Sequence, residues 1–356
     1  MRLGIIGLPQ SGKTTLFNAL TRMTQPTGMA SGRMEIHTAV VDVPDPRVDR
    51  LSAMFKPRKT IYAKVNYADI AGLEGSSSKT GISGNLLNQL TQMDGFIHVI
   101  RCFENDAVAH PFASINAQRD IQSMDTELII NDLIAVERKL ERLVEEKHKG
   151  AGREKAIIER ETDLFERFQE TLSAEKPLRD ITITPEEEKI LSGFGFLSRK
   201  PVLLVLNVSE GQSPPVVEYQ HRQSQLVALQ CELEMEIAQL PPEEAKDFLK
   251  EYGIEEPSLN RMIRLSYDLL GLQSFFTVGP DEVRAWTVRR GALAPEAAGE
   301  IHTDLQKGFI RAEVVAYNDL TTLGGMAEAR NKGKLRLEGK EYTVLDGDIL
   351  NIKFNI

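Results

Sequence analysis

Apolar residues follow two rhythms along this chain. In one, short unbroken runs recur: Leu3, Ile5 and Ile6 near the start, Gly95–Phe103 further on, and Pro201–Asn207 beyond the middle. Such runs, bounded by glycine or polar residues, predict strands of a parallel sheet covered on both faces. Lys64–Asp69 predicts a further strand, and Thr15–Leu20 opens a helix just after the first one. The second rhythm is helical. From Met124 to Lys149, Leu128, Ile129, Leu133, Val136, Leu140 and Leu143 return on one face, with charged residues such as Glu137, Arg138 and Glu141 on the others. Gly150-Ala151-Gly152 breaks this pattern, and a partner helix is expected from Glu154 to Leu172. Pro185 followed by Glu186, Glu187 and Glu188 predicts another helix start, because acids favour the positive end of the helix dipole. From Phe275 onward the pattern changes to short strands (276–278, 284–288, 312–316, 349–354) and short helices (297–306, 320–331). Glu338-Gly339-Lys340 and Asp346-Gly347-Asp348 carry hairpin-type turn chemistry.

The first junction carries chemistry. Between the strand ending at Ile6 and the helix opening at Thr15 lies Gly7-Leu8-Pro9-Gln10-Ser11-Gly12-Lys13-Thr14, which spells G-x-x-x-x-G-K-T. Gly7 and Gly12 let backbone N–H groups converge on phosphate oxygens at a helix N-terminus. Lys13 supplies a point charge for the β- and γ-phosphates, and the Thr14 hydroxyl is a magnesium ligand in this pattern. Asp69-Ile70-Ala71-Gly72 reads as D-x-x-G at a strand end, where Asp69 holds the metal through water and the Gly72 N–H meets the γ-phosphate. Leu73 stands where many GTPases place a water-orienting glutamine, so unassisted turnover should be slow. Asn207-Val208-Ser209-Glu210 occupies the place of N-K-x-D, with Val208 for the lysine that covers the base and Glu210 for the guanine-reading aspartate.

Composition narrows the class. At 356 residues the chain suits two or three domains, and 27% charged against 41% hydrophobic residues is ordinary for a globular protein. A net charge of −9 argues against bulk adhesion to nucleic acid, and no DNA sequence readout is expected. Two cysteines, Cys102 and Cys231, make no disulfide framework. With no membrane-length apolar run and an N-terminus that enters a strand at once, a cytoplasmic monomer is expected.

Taken together, these residues resemble the YchF (Ola1-type) branch of the Obg-related P-loop ATPases and GTPases. The likeness includes Val43-Pro44-Asp45-Pro46-Arg47, Asp69–Leu73, Arg101-Cys102-Phe103-Glu104-Asn105 and Asn207–Glu210. It is strongest in Phe275–Gly279, Arg284–Thr287, Ala297–Asp304, Lys307–Ala312 and Asp346–Asp348. The resemblance implies an α/β P-loop G domain at 1–122 and 200–274, a helical coiled-coil insertion at 123–199, and a C-terminal TGS domain of ubiquitin-like β-grasp fold at 275–356. It further implies slow, magnesium-dependent hydrolysis of ATP, with GTP also accepted, and a partner in the ribosome, its RNA or its proteins. By the same token Gly7, Pro9, Gln10, Ser11, Gly12, Lys13, Thr14 and Thr15 would grip phosphates. Asn207, Val208 and Glu210, with Gln230 and Cys231 downstream, would line the base, and Thr14 and Asp69 would serve the metal.

Two departures stand out. Gln10 and Ser11 replace the usual asparagine and valine, the asparagine being linked in related enzymes to potassium-assisted hydrolysis. The first switch reads Ala30-Ser31-Gly32-Arg33-Met34-Glu35-Ile36-His37, with Arg33 near the usual threonine. The second metal hydroxyl then falls to Ser31 or Thr38, or is absent. In the loop after Phe103, His110 is a candidate to orient the attacking water that Leu73 cannot, set against a plain solvated loop histidine. The weakened switch also leaves open a ribosome- or RNA-binding scaffold that holds nucleotide with little hydrolysis, and a true GTPase is a third reading. Lys147, Lys149, Arg153 and Lys155 offer the helical arm an RNA contact.

Overall fold

The computed structural model describes residues 1–25, 37–70, 82, 84–149, 153–251, 254 and 256–355. Two compact units emerge: Met1–Ala39 with Asn66–Leu259, and Val40–Val65 with Asn260–Ile356. The strands, in chain order, are β1 (Arg2–Ile6), β2 (His37–Asp42), β3 (Lys59–Ile61), β4 (Lys64–Asp69), β5 (Gly95–Arg101) and β6 (Val202–Asn207). They continue as β7 (Ser224–Leu229), β8 (Leu272–Val278), β9 (Glu282–Arg289), β10 (Phe309–Ala316), β11 (Arg336–Glu338) and β12 (Asp348–Phe354).

The first sheet runs β2-β4-β1-β5-β6-β7. The pairs from β4 through β7 are parallel, as the apolar runs predict, and every residue of β5 and β6 is buried. The register sets Ile5 beside Asp69, Ile6 beside His98, and Arg101 beside Asn207. One edge of the sheet therefore gathers the carboxyl ends of four strands, the usual place for a ligand in an open α/β sheet. Around it lie α1 (Lys13–Thr21) and α3 (Gly84–Thr91), while α2 (Pro46–Phe55) belongs to the second unit.

The arm consists of α4 (Ala117–Lys149) and α5 (Lys155–Ser173). Helix α4 begins at Ala117, earlier than the expected Met124. The Asn116 side chain accepts from the Arg119 N–H at 3.0 Å, and Ala117, Ile121 and Met124 extend the buried stripe. Phe165 and Phe168 of α5 meet Phe194 and Phe196 with ring centroids 5.1–6.1 Å apart. The predicted helix start at Pro185 is α6 (Pro185–Leu191), where Thr184 and Glu187 form a reciprocal capping box. On the α4 side, buried Asp132 accepts from Leu197 N–H, Ser198 N–H and the Ser198 hydroxyl at 2.7–2.8 Å. Arg153, a candidate RNA contact, is paired with Glu146 and Glu161. After β7 come α7 (Cys231–Gln239), which packs on α1, then α8 (Pro242–Glu251) and α9 (Ser258–Leu269).

The second unit holds a sheet in the order β11-β10-β12-β8-β9-β3. Its core joins Phe275, Val314 and Leu350 to Ala297 and Ala298 of α10 (Ala294–Ile301). The single helix expected at 297–306 is split at extended His302 into α10 and α11 (Thr303–Lys307), whose N-terminus the His302 ring caps. Likewise 320–331 divides at left-handed Gly324 into α12 (Tyr317–Leu323) and α13 (Met326–Asn331). β11 and β12 both pair with β10, so the turns at Gly339 and Gly347 do not join neighbouring strands as hairpins would. Val40–Val65 enters this unit because β3 pairs with β9, Lys59 opposite Glu282, and Arg47 reaches Asp346 at 2.7 Å. Among the described residues no helix is long and apolar enough to cross a membrane.

Candidate nucleotide site

The loop between β1 and α1 is built by glycine where nothing larger fits. Gly7 has φ 148°, and a Cβ there would lie 2.4 Å from the Val99 carbonyl oxygen. Gly12 has φ 99°, and a Cβ there would lie 2.2 Å from Asn207 Nδ2. Gln10 also takes a left-handed φ of 60°, which turns the loop back toward the helix. Gly7, Pro9, Gln10, Ser11 and Gly12 thus lead in one turn to the N-terminus of α1, where Lys13, Thr14 and Thr15 follow.

Lys13 is buried, and its Nζ donates to the carbonyls of Gly7 at 3.1 Å and Leu8 at 2.8 Å. Loss of water pushes its pKa down to about 8, partly opposed by the carboxylate of Asp69. The Thr14 hydroxyl donates to Asp69 Oδ2 at 2.8 Å, across the β1–β4 pairing. Burial holds the Asp69 carboxyl above the ordinary carboxylate range, against the pull of Thr14 and Lys13. A partly buried hydroxyl beside a buried carboxylate offers hard oxygen donors of the kind magnesium takes. Among the described residues no group of three or more His, Cys, Asp or Glu could hold a metal. Two protein oxygens instead match an ion that draws its other ligands from phosphates and water.

Asn207 ends β6 and ties two loops together. Its Nδ2 donates to the Ser11 carbonyl at 3.0 Å, and its Oδ1 accepts from the Cys231 N–H at 3.2 Å. The other base-side candidates divide. Val208 faces the apolar core, so its side chain does not point to a base as the lysine it replaces would. Glu210 is exposed on the loop beyond β6. Gln230 precedes α7 with its Oε1 buried and unpartnered. The Cys231 thiol is wholly buried, which pushes its pKa up, and only its N–H faces Asn207. Gly72 and Leu73, with Ser31 and Arg33 of the first switch, lie outside the described residues, whereas Thr38 is exposed on β2.

The His110 side chain is buried, not solvated. Its Nδ1 accepts from the Phe112 N–H at 3.1 Å, so the Nε2 proton faces Asp120 Oδ2 at 3.0 Å. Arg119 holds the other oxygen of Asp120. His110 and Asp120 line a narrow gap beneath Leu8, Pro9 and Ser11, together with His98 and Arg101. Asp120, His98 and Arg101 were not legible as site residues: each lies far from the loop in sequence, His98 and Arg101 reaching it through the β1–β5 pairing and Asp120 from the first turn of α4.

Comparison with known proteins agrees with this geometry. Residues 2–139 match the family model MMR_HSR1, described as "50S ribosome-binding GTPase", and residues 272–355 match YchF-GTPase_C, described as "Protein of unknown function". The chain is 41% identical over 364 residues to "Ribosome-binding ATPase YchF" of Pasteurella multocida, covering 100% of this chain and 99% of that one. The namesake of Bacillus subtilis is 40% identical over 368 residues, covering 99% of each. "Obg-like ATPase 1" of Oryza sativa is 34% identical, covering 100% of this chain and 92% of the relative. The solved structure of the Schizosaccharomyces pombe YchF GTPase superposes with a TM-score of 0.82 at 28% identity, covering 99% of this chain and 97% of that one. On sequence and fold alike, the chain belongs to the YchF/Obg-like family of P-loop ATPases and GTPases.

Proposed function

We propose that this protein is a magnesium-dependent ATPase, also accepting GTP, that slowly yields ADP and phosphate and works as a cytoplasmic switch on the ribosome. The observation that carries the reading is the convergence of Lys13, the Thr14–Asp69 pair and Asn207 on one glycine-built loop. Lys13 would leave the carbonyls of Gly7 and Leu8 for the β- and γ-phosphate oxygens. Thr14 and Asp69 would hold magnesium, which neutralises charge on the terminal phosphates. Gly72 would sense the γ-phosphate. His110, released from Asp120, would orient the attacking water. Asn207, Glu210 and Gln230 would meet the base, with Val208 and Cys231 contributing main chain only. On this reading α4 and α5 are the inserted coiled coil, and residues 275–356 are a TGS module that shares its compact unit with Val40–Val65 and the residues from Asn260.

The ribosomal partner is supported by relatives named ribosome-binding ATPases that match from end to end. The test is phosphate release from Mg-ATP by the wild-type protein and by Lys13→Ala, with GTP competing. Turnover well above the variant, and ATP bound at least as tightly as GTP, is the expected result. Turnover no higher than the variant would leave a nucleotide-holding scaffold, and strong GTP preference would make the protein a GTPase.

A further inference from the structure

Two sequence motifs play no part in the nucleotide reading: Val43-Pro44-Asp45-Pro46-Arg47 and Asp346-Gly347-Asp348. The second unit brings them together. Arg47 donates Nη1 to Asp346 Oδ2 at 2.7 Å and Nη2 to Asp346 Oδ1 at 3.2 Å, and its guanidinium lies over the Phe276 ring. Asp45, which caps α2, accepts from Nε and Nη2 at 2.9–3.2 Å. Gly347, at φ 90°, makes room for this fork, since a Cβ there would lie 3.2 Å from Arg47 Nη1. The turn is itself tied to β8: the Ser274 N–H donates to Asp346 Oδ1 at 3.0 Å, and the Gly347 N–H to the Ser274 carbonyl at 2.9 Å.

Arg47 sits on a piece of chain whose two ends lead to the nucleotide site. Val40–Val65 enters the second unit from β2, which opens at His37 where the first switch ends. It leaves through β4, which ends at Asp69, the partner of Thr14. β2 and β4 are neighbours in the first sheet. Beyond them the Val43 N–H donates to the Ala63 carbonyl at 2.8 Å, and Lys64 pairs with Asp42 at 2.8 Å. Residues 43–63 are thus a closed loop, necked at two strands that carry switch chemistry and anchored in the C-terminal sheet by β3 and Arg47. Asp346 is half-exposed, so its pairing with Arg47 adds little stability and can be made and broken at small cost.

We infer that Arg47 is a positioning residue that couples nucleotide binding to the C-terminal unit, passing a shift of β2 and β4 through its guanidinium to Asp346 and β8. The inference rests on the nucleotide reading above and names the contact through which the switch acts. The competing role is a strut that only holds α2 to β8.

Amide hydrogen exchange of the full chain, with and without a magnesium-bound, non-hydrolysable ATP analogue, separates the two. In the wild-type protein the analogue should slow exchange at 7–15, and by about threefold or more at 272–278 and 345–350. Arg47→Met should keep the slowing at 7–15 and lose it in the two C-terminal spans. Asp346→Asn keeps an acceptor for the Ser274 N–H but not the charge that Arg47 grips, so it should behave like Arg47→Met, and it carries the test should that variant fail to fold. Faster exchange in the C-terminal spans of the variants, with the effect of the analogue intact, would leave a strut and overturn the inference. Wild-type slowing at 7–15 with both C-terminal spans unchanged would remove this inference alone, whereas no slowing at 7–15 would remove the nucleotide reading and the inference with it.

Discussion

Lys13 should make nucleotide binding depend on pH in a way an exposed lysine would not. Its pKa in the free protein lies at about 8, down from 10.5, because burial penalises the ammonium more than Asp69 rewards it. A bound triphosphate would restore the charge, so binding above pH 8 must take up a proton. With the fraction charged set by that value, the dissociation constant for Mg-ATP should rise by about eightfold between pH 7.5 and pH 9. Calorimetry in buffers of different ionisation enthalpy should detect about three-quarters of a proton taken up at pH 8.5, and about a tenth at pH 7. His98, pushed down to about 4, and Cys102, pushed up to about 12, titrate outside that window. Stability of the free protein runs the other way. A lysine whose folded pKa is depressed binds its proton more weakly folded than unfolded, so stability rises with pH from about 8 to about 10.5, by roughly 3 kcal/mol for this one group. No proton uptake at pH 8.5, or a dissociation constant flat from pH 7.5 to 9, would refute the reasoning.

Three further outcomes follow from the packing. Asn207→Ala strands the Ser11 carbonyl and the Cys231 N–H, and should cost about 2–4 kcal/mol in chemical denaturation while weakening nucleotide binding. Gly12→Ala drives a methyl group into Asn207 at a left-handed φ, so binding of a fluorescent ATP analogue should be lost with the far-ultraviolet circular dichroism unchanged. Phe165→Ala empties the centre of the arm's aromatic cluster and should destabilise the protein by about 3–5 kcal/mol; a loss under 1 kcal/mol would mean that the cluster relaxes into the space.

The parts of the site that were legible in the sequence are those whose geometry is local. Gly7 and Gly12 sit at a fixed spacing between a strand and a helix, and that spacing alone builds the loop. The buried runs of β5 and β6 announce themselves because a strand covered on both faces has no polar alternation to hide it. What could not be read depends on partners distant in the chain. Val208 looked like a base contact by its place after Asn207, but the core claims its side chain. The early start of α4 has a local signal in Asn116, whose side chain accepts from the Arg119 N–H, but the apolar spacing becomes regular only from Met124. That Val40–Val65 joins the C-terminal unit has no local signal, since it follows from three residues of β3 pairing with a strand more than two hundred residues away.

The same dependence on long-range contact explains why Asn207 matters beyond its family motif. One amide spans the Ser11 carbonyl of the phosphate loop and the Cys231 N–H at the start of α7. On the proposed reading, a base that shifted the start of α7 would therefore pull, through a single side chain, on the loop between β1 and α1. Such a coupling is reciprocal, so the terminal phosphate must bias base selection by the same free energy by which the base biases the phosphate grip. With Glu210 exposed and Val208 turned inward, that coupled amide, not the exposed carboxylate, is the group best placed to relay base identity to Lys13. Discrimination between ATP and GTP should then exceed that between adenosine and guanosine, whose binding leaves the phosphate loop unengaged.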